Sequence, residues 1–254
     1  MSIDVEGFCR NGYTRLGAAV DDDVVEAACR AVWDKLAPDG IAAGDRTTWT
    51  QPVVRVRCLD DALIAAERAP ALIDGYDALV GTGRWLPPGA AGDVIPVRFP
   101  SETQPADVAW HVEGNWKGPQ EFHTDVWSTG RGLFVLILLT DVGLEDAPMA
   151  MVPGSHPFVA RVLEPFGTNG LGGRAIVSAL DAAVMCRRIS FATGKAGDAY
   201  LCHPFLVHTA TWPHRGHQPR LSVVVKLEIS GGFALDGTDT SPVATTIAAA
   251  IGSP

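Results

Sequence analysis

The chain lacks most of what would mark it as secreted, membrane-bound or nucleic-acid-binding. Its five cysteines, at positions 9, 29, 58, 186 and 202, are odd in number and scattered, and no two form a Cys-x-x-Cys pair. That excludes a disulfide framework and predicts buried thiols in a reducing, cytoplasmic setting. No apolar run approaches the ~20 residues needed to span a bilayer. The opening MSIDVEGFCRNGYTRL is too polar for a secretory signal. Basic residues are outnumbered, 20 Lys and Arg against 29 Asp and Glu, for a net charge of -9. Non-specific nucleic-acid binding depends on neutralising phosphate with excess Lys and Arg, so that class is excluded. There is no internal repeat and no low-complexity linker. With 254 residues, 47% of them hydrophobic, the expectation is one domain over 1–254 with a well-buried core.

The first part of the chain, to about residue 92, reads as mainly helical. Asp21-Asp22-Asp23 offers N-caps for a helix with apolar positions at Val25, Ala28, Cys29, Val32 and Leu36, ended by Pro38-Asp39-Gly40. Pro52 to Cys58 reads as a strand, Asp60-Asp61 opens a helical stretch to about Ala69, and Pro70 starts another helix carrying Leu72, Ile73, Tyr76 and Leu79. From about 93 to 230 the texture changes to short β-like runs divided by Gly and Pro. These are Val94–Phe99, Ala109–Val112, Leu133–Thr140, Met149–Val152, Arg187–Ala192, Tyr200–Val207 and Leu221–Ile229, with one helix from Pro157 to Leu163. Many short strands with Gly/Pro turns predict an α+β protein with a jelly-roll core wrapped by N-terminal helices. In the tail, 231–254, Ser241-Pro242 and an Ala-rich run to Ile251 predict a closing helix.

The chemistry centres on GDAYLCHPFLVHTATWPHRGHQPRLSVVVK, residues 197–226. It reads as two strands facing each other across a polar connection, with His208 at the end of the first and Arg220 at the start of the second. A neutral imidazole at a strand end can hold a divalent metal, and an Arg can grip a carboxylate bidentately. The plain alternative is a core His and a surface Arg. Two His-x-acid pairs lie upstream, His111-Val112-Glu113 and His123-Thr124-Asp125. Residues two apart on a strand share a face, so either pair could join His208 to give two imidazoles and one carboxylate. Seven His and 29 acidic residues produce roughly 0.8 such matches by chance, so one pair is expected to be a bystander. His156 opens a helix and reads as a structural turn residue.

The ordered segments RFP, WHVEG, STGRGL, TDVG, DAP, GSH, YLCHPFLVH, HRG and PR resemble the phytanoyl-CoA dioxygenase family of Fe(II)- and 2-oxoglutarate-dependent oxygenases. The resemblance implies a double-stranded β-helix with added helices. It also implies Fe(II) held by His-x-Asp/Glu and a distal His, here His208, and 2-oxoglutarate held through its far carboxylate by Arg220. The implied reaction joins O₂ and 2-oxoglutarate to oxidation of a small-molecule substrate, usually its hydroxylation, with release of succinate and CO₂. A retained carboxylate argues against the halogenating variant. In the implied fold the metal-bearing strand end and the next strand belong to opposite sheets. From Asp125 to Leu133 only seven residues intervene, and Ser128 to Gly132 look like a tight hairpin turn; from Glu113 there are nineteen. This length and the WHVEG context favour His111 and Glu113 over His123 and Asp125. Glu is longer than Asp by one methylene, which leaves the placement of its oxygen open. Arg98 and Arg131 are placed near the pocket mouth, as contacts for an acidic group or as solvated surface residues. Trp116 either walls the substrate site or fills core. The competing classes are a jelly-roll binding protein without iron and a cupin-type metal-dependent isomerase or hydrolase.

Overall fold

A computed structural model describes residues 3–88, 93–117 and 122–252. The first helix, α1 (Val5–Asn11), is capped by the Asp4 carboxylate, which accepts from the Gly7 amide at 2.8 Å. It is closed by Gly12 in the left-handed region, with φ 79°. A Cβ at Gly12 would stand 2.7 Å from the His156 ring, so both the turn and the close approach require glycine. Next come β1 (Tyr13–Leu16), α2 (Asp22–Leu36), β2 (Val53–Cys58), α3 (Asp61–Glu67), α4 (Pro70–Val80) and β3 (Asp93–Arg98). α2 buries Val25, Ala28, Val32 and Leu36, the 3–4 spacing of one apolar stripe.

The second part holds β4 (Trp116–Lys117), β5 (Phe122–Thr124), β6 (Leu133–Leu138), β7 (Ala150–Met151), α5 (His156–Leu163) and β8 (Leu171–Gly172). It continues with α6 (Gly173–Ala179), α7 (Ala182–Met185), β9 (Ser190–Phe191), β10 (Ala199–Cys202), β11 (His208–Thr209), β12 (Ser222–Leu227) and α8 (Pro242–Ile251). No helix among the described residues is long and apolar enough to cross a membrane.

The main sheet is antiparallel, in the order β1-β10-β6-β12. β6 is central and buried along its whole length, which is why it is apolar at every position instead of alternating. Its two faces serve different neighbours. Leu133, Val135 and Ile137 join Leu201, Val223 and Val225 in a large core with the helices, including Val32, Leu72, Leu79, Val159 and Val243. Phe134, Leu136 and Leu138 join Tyr200 and Cys202 in a smaller core, completed by Met149, Met151, Ala192 and Leu206 from around the small sheet β11-β7-β9. An isolated bridge between Arg98 and Arg220 sets the β2-β3 pair beside the start of β12. The result is an α+β fold of antiparallel sheets, helices on one side of the main sheet and short strands on the other.

Three expectations need correction. The run 200–207 is not one strand: β10 ends at Cys202, because Pro204 cannot donate to a ladder and the chain turns there, with the Leu206 amide bonding back to the His203 carbonyl at 2.9 Å. His208 therefore begins a strand of the small sheet, and β10 and β12 do not face each other; they flank β6. Residues 109–112 form no strand; only His111 pairs, through a single bridge to His208. Finally, 128–132 is not a hairpin turn. β5 pairs with β4 and β8 while β6 pairs with β10 and β12, so this short segment crosses between sheets. It does so with Ser128 and Gly130 at φ 48° and 80°.

Candidate metal centre

His111 and His208 are locked to each other by backbone. The His111 amide donates to the His208 carbonyl at 3.0 Å and the His208 amide returns the bond at 3.1 Å. Glu113 lies two residues on, and its side chain comes to the same side as that of His111. Two glycines press this segment into place. A Cβ on Gly114 would stand 2.4 Å from backbone of Phe122, and one on Gly173 would stand 2.0 Å from the Val112 carbonyl oxygen. A side chain at Gly173 would displace the backbone between the two candidate ligands, and one at Gly114 would displace that of Phe122.

The imidazoles are also oriented. His111 Nδ1 lies 2.8 Å from the Ala109 carbonyl oxygen and His208 Nδ1 lies 2.9 Å from that of Leu206. A carbonyl only accepts, so each Nδ1 carries a proton and Nε2 is the ring nitrogen left to face a metal. Those two Nε2 atoms lie 3.9 and 3.7 Å from Oε1 of Glu113. One ligand atom from each of the three residues lies within 4.8 Å of the others, the one such group of His, Cys, Asp and Glu among the described residues. The His208 ring stacks on Phe134, centroids 4.4 Å apart at 30°. Burial, with a further push from the His208 ring, holds His111 below the ordinary imidazole value and so in its ligating form. Burial alone would raise Glu113, but the neighbouring His208, then Lys226 and His111, hold its carboxyl well below the usual carboxylate range. The set is two imidazoles and one carboxylate.

These residues open onto a cavity of about 350 Å³. β12 and the residues just before it supply one wall, with Arg220, Ser222, Val224 and Lys226 all lining the cavity at every second position. Phe134, Leu136 and Met149 add apolar lining to the cavity. At one end Arg220 is buried; its Nη1 donates to the Ala147 carbonyl, while its Nε has no hydrogen-bond partner among the described residues. Burial and the neighbouring Arg98 push this guanidinium down to about 9. Arg98 is engaged by Asp107, 2.6 Å from its Nη2, and Arg55 reaches the same carboxylate. Burial alone would raise Asp107, but Arg98 and then Arg55 hold it low.

Of the residues singled out by sequence, the structure brings together His111, Glu113, His208, Arg220 and Arg98 around one cavity. Arg131 lies beside the candidate ligands instead of at a mouth: it is buried, donates from Nη2 to the Gly114 carbonyl at 3.3 Å and does not line the cavity. A solvated surface role is therefore excluded for both Arg98 and Arg131. Trp116 packs against His123, 6.4 Å between rings, outside the cavity lining. Asp125 is buried and accepts from the Thr129 amide at 3.0 Å, a cap for the crossing turn. Sequence reasoning passed over Ser222 and Lys226, although counting by twos from Arg220 reaches both. It also passed over Asp107, Gly114 and Gly173, whose importance depends on contacts distant in sequence.

Among solved structures, the chain is similar to SnoK, a non-haem α-ketoglutarate-dependent carbocyclase from nogalamycin biosynthesis, at 20% identity and TM-score 0.57, over 89% of this chain and 82% of that one. It is similar also to the epimerase SnoN in complex with Fe³⁺, α-ketoglutarate and nogalamycin RO, at 17% identity and TM-score 0.56, with the same coverages of 89% and 82%. A third is EvdO2 from Micromonospora carbonacea var. aurantiaca complexed with 2-oxoglutarate, at 16% identity and TM-score 0.54, over 94% of each chain. No family model matches the chain, and no curated protein does. At such identities the likeness is one of fold, and the chemistry has to be argued from the site.

Proposed function

We propose that this chain is an Fe(II)- and 2-oxoglutarate-dependent oxygenase of the phytanoyl-CoA dioxygenase type, a single domain on a jelly-roll core that hydroxylates a small molecule. The observation that carries this reading is the pair of carbonyl-fixed imidazoles. Both Nε2 atoms converge with Glu113 on a cavity that is also lined by a buried arginine with an unused donor. Two imidazoles and one carboxylate, with the other side open to a cavity, suit non-haem Fe(II). Iron held there would supply the dioxygen chemistry, one oxygen atom ending in the product and the other in succinate as 2-oxoglutarate loses CO₂.

The chain's own residues then bind and orient. His111, Glu113 and His208 hold the ion. Arg220 receives the far carboxylate of 2-oxoglutarate, with the Ser222 hydroxyl two residues along the same wall. Arg98 is kept in place behind it by Asp107. Phe134, Leu136, Met149 and Val224 keep the space between apolar, which limits water around the reacting groups. SnoN is solved with nogalamycin RO and α-ketoglutarate, and EvdO2 with 2-oxoglutarate, which supports a small-molecule substrate here too. The test is anaerobic loading with Fe(II) and 2-oxoglutarate, read by the weak visible charge-transfer band of the chelate, then succinate release in air. Neither band nor succinate would move the protein to the binding-scaffold class. Metal uptake without 2-oxoglutarate consumption would favour the isomerase or hydrolase class.

A further inference from the structure

We infer that Lys226 is a positioning residue that pins the outer oxygen of Glu113, so that only the inner oxygen faces the two imidazoles. The inference rests on the metal reading above and concerns how a glutamate, longer than aspartate by one methylene, is kept to a single role. The two carboxylate oxygens have separate partners. Oε1 lies 3.9 and 3.7 Å from Nε2 of His111 and His208, and Oε2 lies 3.6 Å from Nζ of Lys226. A carboxylate free to rotate could turn both oxygens to a metal and close positions that a co-substrate and O₂ need. An ammonium on Oε2 holds that oxygen outward.

The placement of Lys226 is built into the sheet. It stands directly across from Phe134 in the β12–β6 register, and Phe134 is the ring on which His208 stacks. One rung of the ladder thus sets the heights of a ligand and of the residue that orients its neighbour. Period-2 alternation puts Lys226 on the cavity side with Arg220, Ser222 and Val224, while Leu221, Val223, Val225 and Leu227 enter the large core. Its ammonium also lies 5.9 Å from the Phe122 ring centroid, a second contact that restrains a long, half-exposed stem. On the far side Arg131 holds the Gly114 carbonyl, so the residue after Glu113 is tethered as well.

The sign of the effect on metal affinity separates this role from that of a bystander. A cation that merely sits beside a dication repels it, so removing the charge would tighten metal binding. Removing a residue that fixes the ligand loosens it, by about tenfold for partners that orient metal ligands. Purified, metal-free protein is titrated anaerobically with Co(II), by calorimetry and by the d–d absorption of the bound ion. Lys226→Met, which keeps the stem and loses the charge, is expected to bind Co(II) about tenfold more weakly, with a changed d–d spectrum. Lys226→Arg is expected to restore both affinity and spectrum, and in a Glu113→Asp background the Lys226→Met effect should vanish, because the shorter arm cannot reach both partners. Equal or tighter Co(II) binding in Lys226→Met with an unchanged spectrum overturns the inference and leaves Lys226 as a contact for an anionic substrate. A wild-type protein that binds no Co(II) instead removes the metal reading itself, and the inference with it.

Discussion

Replacing Arg220 by alanine should separate co-substrate binding from metal binding. The guanidinium is buried, spends one donor on the Ala147 carbonyl and leaves Nε unpartnered, next to Arg98, whose own charge is matched by Asp107. Its lowered value of about 9 marks an undercompensated cation. A guanidinium does not give up its proton in a protein, so an anion bound beside Arg220 would relieve that deficit. A charge-assisted hydrogen bond of this kind is worth about 1.5–3 kcal/mol. Its loss should weaken 2-oxoglutarate roughly ten- to a hundredfold. Thermal stability gives the cleanest reading. With 2-oxoglutarate at a hundred times the wild-type Kd, the ligand stabilises the wild type by about 2.7 kcal/mol, and a hundredfold weaker site keeps only about 0.4 kcal/mol of it. The ligand-free variant should stay within about 1 kcal/mol of wild type, because the lost hydrogen bond is offset by removal of one of two adjacent buried cations. Metal content should be unchanged. If Arg220→Ala keeps its ligand-induced stabilisation, or loses metal while keeping 2-oxoglutarate, Arg220 is a structural residue and the co-substrate assignment falls.

Three further outcomes are expected. Glu113→Ala should lose tight metal binding and all coupled turnover, while Asp125→Ala should cost about 1 kcal/mol by uncapping the crossing turn and keep its metal; metal analysis showing the reverse would move the centre to His123 and Asp125. Gly173→Ala should cost about 1–3 kcal/mol and lower metal affinity, because its methyl would stand 2.0 Å from the Val112 carbonyl between the two ligands; a variant with wild-type metal affinity would show that the segment can give way. His156, buried and bonded to the Cys9 carbonyl at 3.1 Å, is pushed by burial from 6.5 to about 4. The unfolded chain therefore takes up a proton below 6.5 and the folded form only near 4, so stability should fall with pH across that window, by roughly 3 kcal/mol in total. His156→Gln should flatten that decline in acid denaturation curves, though not remove it, since burial lowers the neighbouring His203 in the same direction. An unchanged slope would count against it.

How much of the fold could be read in advance follows from how local its causes are. α2, α4 and α8 carry their own apolar stripes and their own stops and starts, such as Pro70 and the Ser241 cap on Ala244, so each could be placed within a residue or two. β6 and β12 were legible as apolar and alternating runs. α1 and β1 were not: α1 buries only Gly7 and Phe8, and β1 exists because it pairs with β10, from Tyr13 against Cys202 to Leu16 against Ala199. No window of sequence contains that pairing. α6 and α7 were missed for a related reason, since Ala- and Gly-rich turns of four to seven residues have little periodicity to detect.

The site shows the same division more sharply. Part of what favours His111 and Glu113 over His123 and Asp125 in the sequence is loop length, since seven residues read as too few to carry the chain from β5 to another sheet. Seven residues do carry it, by placing Ser128 and Gly130 at positive φ and capping the turn with Asp125. The real distinction lies elsewhere, in contacts that spacing does not encode. The backbone of His111 pairs with that of His208, ninety-seven residues on by number, and each Nδ1 finds a carbonyl two residues back. His123 instead pairs with Trp116 and Gly172, which points the chain toward β8 and away from His208. A His-x-acid pair becomes a candidate ligand pair only when a second backbone holds it against a third donor. That condition is long-range, so two pairs with the same local pattern can end in different places, one in the cavity wall and one in a turn.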